Sequence, residues 1–223
     1  MTSRAVLKLV TASWLDFGMN PHLSRELSAR RADLVLEGGG VKGIAFASVI
    51  SVLDAAGYAF PRIAGTSAGA ITGALIAALQ RAGEPLSRLG DIAATLDYTR
   101  FRDRGAIGRW AGPLAPVVDA FSFIFESGIF EGEYLRSWLS GVLCDLGVAT
   151  FGDLRLPSDP NSDVPEDHRY GLVVTASDLS RQRLALLPWD YHRYGLDPDE
   201  QPVADAVAAS TTFPFFFEPV LLR

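Results

Sequence analysis

Apolar positions along the chain change their spacing several times, and each change marks an element. Leu34-Val35-Leu36 is an unbroken apolar run between Asp33 and Glu37, short enough to predict a buried strand. After a run of glycines, apolar residues crowd the stretch from about Val41 to Ala56, which predicts a helix stopped by Gly57. A second short strand is expected around Arg62 to Ala64. It leads into Gly65-Thr66-Ser67-Ala68-Gly69 and a long helix of small residues ending near Gly83. Two strand–glycine turn–helix units in succession bring their strands together in parallel, because a crossover helix returns the chain to the same edge.

Beyond Pro85 the pattern is mostly helical as far as Leu156, with Glu131 to Leu143 the clearest amphipathic stretch. Leu156 to Arg169 is dense in Pro, Asp, Asn and Ser and predicts a surface loop. "YGLVVTASDLS" and "RQRLALLPWD" read as two strands that pair, and Pro202 to Ser210 as a small helix. Residues 1–31 form a polar, partly helical lead-in. No period of 20 to 50 residues repeats, which argues against a solenoid or propeller. The expected organisation is a lead-in over 1–32 and one α/β domain over 33–223 with a mostly parallel sheet.

Composition narrows the picture. With 223 residues, 48% hydrophobic and 21% charged, the chain is long enough and apolar enough to bury an ordinary core. A net charge of −6 disfavours nucleic acid, which selects basic surfaces. The single cysteine, Cys144, has no internal disulfide partner, so a reducing compartment is expected, with the thiol packed on the apolar side of its helix. The N-terminal stretch lacks the uninterrupted apolar core of a secretory signal, and Pro113 to Phe130 is too short and too polar to span a bilayer. The expected location is therefore cytoplasmic. No His, Cys, Asp or Glu cluster has metal-ligand spacing, and neither a metal nor an organic cofactor is expected.

The first glycine turn admits more than one chemistry. Gly38, Gly40 and Gly43 satisfy G-x-G-x-x-G between a strand and a helix, the setting of a dinucleotide site. That site also needs an acid about 20 positions on, at the end of the next strand. Here the next strand ends in Gly65-Thr66-Ser67, and the nearest acid, Asp54, lies inside the helix. A phosphate loop fails too, because Lys42 precedes its glycine and no Ser or Thr follows it.

The second turn favours a different reading. Gly65-Thr66-Ser67-Ala68-Gly69 is G-x-S-x-G at a strand-to-helix junction, a nucleophile elbow. Gly65 and Gly69 leave room for the sharp turn, and Ser67 is presented at the positive end of the following helix. A glycine loop on the neighbouring strand can aim backbone N–H groups at the same space. One turn then holds a nucleophile and the other an oxyanion hole.

Taken together, "GGGVKG" and "GTSAG", with 24 residues from Gly43 to Ser67, resemble the patatin-like phospholipases, marked by a G-G-G-x-[KR]-G loop and a G-x-S-x-G elbow. "GIFEGEYLRSWL", "TFGDLR", "VTASDLS" and "VAASTTFPFFFEPV" look like later stretches of bacterial members, so the resemblance runs from about Asp33 to the end. It implies a three-layer α/β/α fold and a serine-dependent acyl hydrolase of lipids. Ser67 would be the nucleophile. Gly38, Gly39, Gly40 and Gly43 would shape the oxyanion loop, with Lys42 in its basic position. The family completes its dyad with an aspartate in a D-G-[GA] motif. No such motif lies in these 223 residues, so the domain is expected to be incomplete at its C-terminal end, with the aspartate after Arg223.

Three readings remain side by side: a lipid acyl hydrolase, a lipid-binding relative without the aspartate, and, least favoured, a nucleotide-binding module. Ser67, Asp178 and His192 do follow the chain order of a Ser–Asp–His triad. Asp178, however, is expected to cap a turn, and His192 to pack among aromatics or lie on the surface. His22 and His168 fall in polar segments expected to be exposed. Arg100, Arg102, Arg104, Arg109 and Trp110 read first as solvated surface and second as a peripheral contact with lipid headgroups. Phe121, Phe123 and Phe125, near Ile129, read first as core and second as the lining of an acyl-chain pocket.

Overall fold

The computed structural model describes residues 30–39, 43–95, 131–159 and 163–212. Of the expectations above, those on Gly40, Lys42, His22, the Arg100–Trp110 cluster and the Phe121–Phe125 alternation lie outside the described residues.

Four strands build the central sheet: β2 (Leu34–Leu36), β4 (Ile63–Gly65), β5 (Leu172–Asp178) and β6 (Arg183–Leu187), in the order β2-β4-β5-β6. The first three run parallel, with Leu36 opposite Gly65 and Gly65 opposite Val174. β6 returns antiparallel to β5. The α/β architecture with a mostly parallel sheet is the one the tandem strand–turn–helix units predict. A two-stranded parallel ribbon lies beside it, made of β1 (Arg30–Arg31) and β3 (Tyr58–Ala59). Arg30 and Arg31 were expected in a partly helical lead-in. Two consecutive arginines carry no strand signal of their own, and they are drawn into pairing by β3.

The helices among the described residues are α1 (Gly43–Ala55), α2 (Ala68–Ala82), α3 (Leu89–Ala94), α4 (Glu131–Asp145) and α5 (Val203–Thr211). α2 is buried on every side from Ala68 to Leu79, the fate of a helix without a polar face. Its small residues allow this, since Gly73 sits against Ile63 and Leu172 where even a methyl group would be crowded. Leu34, Leu36, Ile63, Leu172 and Val174 of the sheet share one core with Ile71, Leu75 and Leu79 of α2. Leu135, Leu139 and Leu143 of α4 and Val203, Ala206 and Val207 of α5 close that core.

Two polar contacts tie neighbouring elements together. Gln80 accepts the Phe60 N–H at 2.8 Å and donates to the Phe60 carbonyl at 2.8 Å, pinning the chain after β3 to α2. On the other flank, the Arg136 guanidinium of α4 grips both oxygens of Asp205 in α5, at 2.5 and 3.1 Å.

Cys144 is exposed, contrary to expectation. The buried stripe of α4 runs through Leu135, Leu139 and Leu143, and one further step of 100° around the helix turns position 144 away from it. His168 is also less exposed than expected, with its ring stacked on Trp189 at 4.8 Å.

Candidate active site

The parallel strands β2 and β4 end side by side, and both turns begin at that edge. The Thr66 N–H still reaches the Leu36 carbonyl at 3.1 Å, the last bond before the chain leaves the sheet. Ser67 then takes φ 54° and ψ −120°, a conformation that L residues avoid and that turns a strand sharply into a helix. Its carbonyl accepts from the N–H groups of Ala70 at 2.8 Å and Ile71 at 3.1 Å, so α2 starts at once.

The flanking glycines are set by close approach. A Cβ on Gly65 would lie 2.6 Å from the Gly69 carbonyl carbon, and one on Gly69 would lie 2.6 Å from the Leu36 carbonyl carbon. Real side chains do not come so near to backbone, so only glycine lets the first turn of α2 close against the ends of β2 and β4. Gly38 belongs to the same junction. A Cβ there would meet the Ser67 Cβ at 3.3 Å and the Thr66 Cγ2 at 3.5 Å. Gly38, where the first glycine turn begins, therefore lies against the elbow serine.

Ser67 is 6% exposed, and its buried Oγ has no hydrogen-bond partner among the described residues. An unpaired buried hydroxyl costs about 1–3 kcal/mol, which a purely structural serine would have no reason to retain. The N–H groups of Gly38, Gly39 and Ala68 likewise have no acceptor among the described residues. Ser67 itself stands at the N-cap of α2, the positive end of a 15-residue helix with no acid in its first turn. Gly43 opens α1, at the far end of the same loop.

Two neighbours of the elbow carried no signal in the sequence. Ser210, near the end of α5, accepts the Ser67 N–H on its Oγ at 2.8 Å, across 143 residues of chain. Thr66, just past the end of β4, and Thr175, midway along β5, share a hydroxyl–hydroxyl bond of 2.6 Å. Lone serines and threonines are too common to single out without the fold.

The triad order is not supported by geometry. Asp178 closes the β5–β6 hairpin, accepting from the Arg181 N–H at 2.9 Å and the Tyr194 hydroxyl at 2.8 Å. The Arg181 N–H and then the Tyr194 hydroxyl hold its carboxyl below the ordinary range. His192 is exposed in the short 3-10 turn Tyr191–Tyr194. Among the described residues no group of three or more His, Cys, Asp or Glu could hold a metal ion, and no helix is long and apolar enough to cross a membrane.

Comparison with known proteins points the same way as the two glycine turns. A family model described as patatin-like phospholipase matches residues 34–223. The uncharacterised protein YqhO of Bacillus subtilis is 36% identical over 191 residues, which is 86% of this chain and 58% of that protein. Lysophospholipase nte1 of Aspergillus terreus is 51% identical over 55 residues, 25% of this chain and 4% of its own length. An uncharacterised NTE family protein of Mycobacterium bovis is 36% identical over 75 residues, 34% of this chain and 13% of its own. The chain thus spans a little over half the length of YqhO and a small part of the other two.

Proposed function

This chain belongs to the patatin-like phospholipase family, and on that premise we propose that it carries the nucleophile of a serine-dependent lipid acyl hydrolase of the phospholipase A or lysophospholipase type. The observation that supports this best is Ser67 itself, buried at φ 54° against Gly38 with no partner for its Oγ among the described residues.

In the proposed reaction the Ser67 Oγ attacks the ester carbonyl carbon. As the new C–O bond forms, the hydroxyl proton passes to an aspartate, and the carbonyl oxygen becomes an oxyanion. The N–H groups of Gly38 and Gly39 receive that charge, with Gly40, Lys42 and Gly43 completing the loop. Collapse breaks the bond to the glycerol oxygen, which leaves with the proton returned by the aspartate. Water then attacks the acyl-serine and releases the fatty acid. No metal or organic cofactor takes part. The aspartate is assigned to a D-G-[GA] motif after Arg223, following the family's pattern. A lipid or phospholipid is the proposed partner, met at a membrane surface by a protein resident in the cytoplasm.

The test uses the complete gene product with a fluorophosphonate probe. Labelling that disappears on Ser67→Ala supports the proposal. A folded, complete protein that stays unlabelled and releases no fatty acid from lysophospholipid or phospholipid sinks it, and leaves lipid binding without turnover as the better account.

A further inference from the structure

Ser67 pays for its position in backbone strain, and something must hold it there. A residue at φ 54° and ψ −120° gains free energy by relaxing toward ordinary angles. Its N–H also leaves the sheet ladder at Thr66 and precedes the helix ladder, so neither regular element satisfies it. The only acceptor it has among the described residues is the Ser210 hydroxyl, at 2.8 Å.

Ser210 is well placed to act as an anchor because α5 is itself fixed. Its first turn hydrogen-bonds from the Val203 N–H to the Ala149 carbonyl at 3.1 Å, and Asp205 is clamped by Arg136. Val203, Ala206 and Val207 are buried to within 1% exposure against α4, β5 and α2. A hydroxyl on such a helix has a fixed location, whereas one on a loop would follow the elbow wherever it moved.

We propose that Ser210 is a positioning residue for the Ser67 nucleophile, acting through the Ser67 backbone N–H. By accepting that N–H it keeps the elbow strained and the buried Ser67 side chain beside Gly38. It also withholds the Ser67 N–H from the oxyanion, leaving the charge to the donors of Gly38, Gly39 and Ala68. This role rests on the hydrolase reading of Ser67, but the bond that carries it can be tested without turnover.

The experiment compares wild type, Ser210→Ala and Ser210→Thr in the complete gene product. Three readouts are taken: hydrogen exchange of the Ser67 amide, fluorophosphonate labelling rate, and kcat and KM for a lysophospholipid. In Ser210→Ala the Ser67 amide is expected to exchange faster, while amides in the buried core keep their protection. Labelling rate and kcat should fall about 10- to 100-fold, the effect of misplacing a nucleophile by a fraction of an ångström, with KM within about twofold. Ser210→Thr retains the oxygen and should restore most of both.

Unchanged labelling and kcat in Ser210→Ala, with the amide deprotected, would overturn the positioning role. So would a loss of activity accompanied by general loss of core protection and no rescue by threonine, which would make Ser210 merely structural. If the Ser67 amide is protected in a Ser210-dependent way but wild type neither labels nor turns over, the hydrolase reading fails. The bond then belongs to the fold alone, and the positioning role falls with that reading.

Discussion

Ser67 concentrates the conflict between stability and chemistry in one residue. Its angles are those of the first central position of a type II′ turn, where glycine is favoured. Ser67→Gly removes that strain and the unpaired hydroxyl while leaving the N–H to Ser210. It should raise thermal stability by about 1 kcal/mol and abolish probe labelling, read by melting curves and gel fluorescence. The flanking glycines behave oppositely. Gly69→Ala would drive a methyl group into the end of β2, so a loss of about 3 kcal/mol or more is expected. A Gly69→Ala protein that melts like wild type would mean the elbow is looser than these distances imply.

At the scale of elements, the site depends on how α4 and α5 are held under the sheet. Leu139 is wholly buried at the centre of the α4 stripe, and Leu139→Ala should cost about 2–5 kcal/mol in denaturant melts. The Arg136–Asp205 clamp is half-exposed, so its loss in Asp205→Asn should cost under about 1 kcal/mol despite its bidentate geometry. Between α4 and β5 the 3-10 turn Phe151–Leu154 is closed by a capping box. There Asp153 accepts the Thr150 N–H at 3.0 Å and the Ala149 N–H at 2.8 Å. The Thr150 N–H, then that of Ala149, depresses the Asp153 pKa below its ordinary value. A depressed carboxyl stabilises the fold fully above its unfolded pKa and loses that contribution as pH falls through the folded one. Asp153→Asn should therefore differ from wild type in stability above roughly pH 5, and the difference should shrink as the pH is lowered below about 4. Melting curves from pH 7 to pH 3 read this directly.

For the whole molecule, the described residues place Ser67 and Gly38 at the ends of parallel strands, the edge where α/β proteins commonly bind ligands. The base assigned to the reaction is proposed to lie after Arg223. A free serine hydroxyl is a weak nucleophile, and removing the base from a triad-type site leaves only what binding and the oxyanion hole contribute. The 223-residue chain should thus label at least about 100-fold more slowly than a protein extended through a D-G-[GA] motif. Equal rates in the two would remove the need for the downstream aspartate.

The pieces legible in the sequence were those decided over a few neighbouring residues. The period of the apolar positions predicts β2, α2, the β5–β6 pair and α5, since burial of one face is a local property of spacing. Gly65, Ser67 and Gly69 stand out because a sharp strand-to-helix turn restricts residue type at fixed offsets. The tertiary structure decided what lies far apart along the chain. Arg30 and Arg31 became a strand because Tyr58 and Ala59 pair with them, and Cys144 faces solvent because of a single helical step. Ser210 reaches Ser67 only because α5 docks beneath the sheet, bringing a hydroxyl 143 residues away within 2.8 Å of an N–H. Local spacing selects elements and turns, whereas the partners of a strained backbone group depend on how those elements pack.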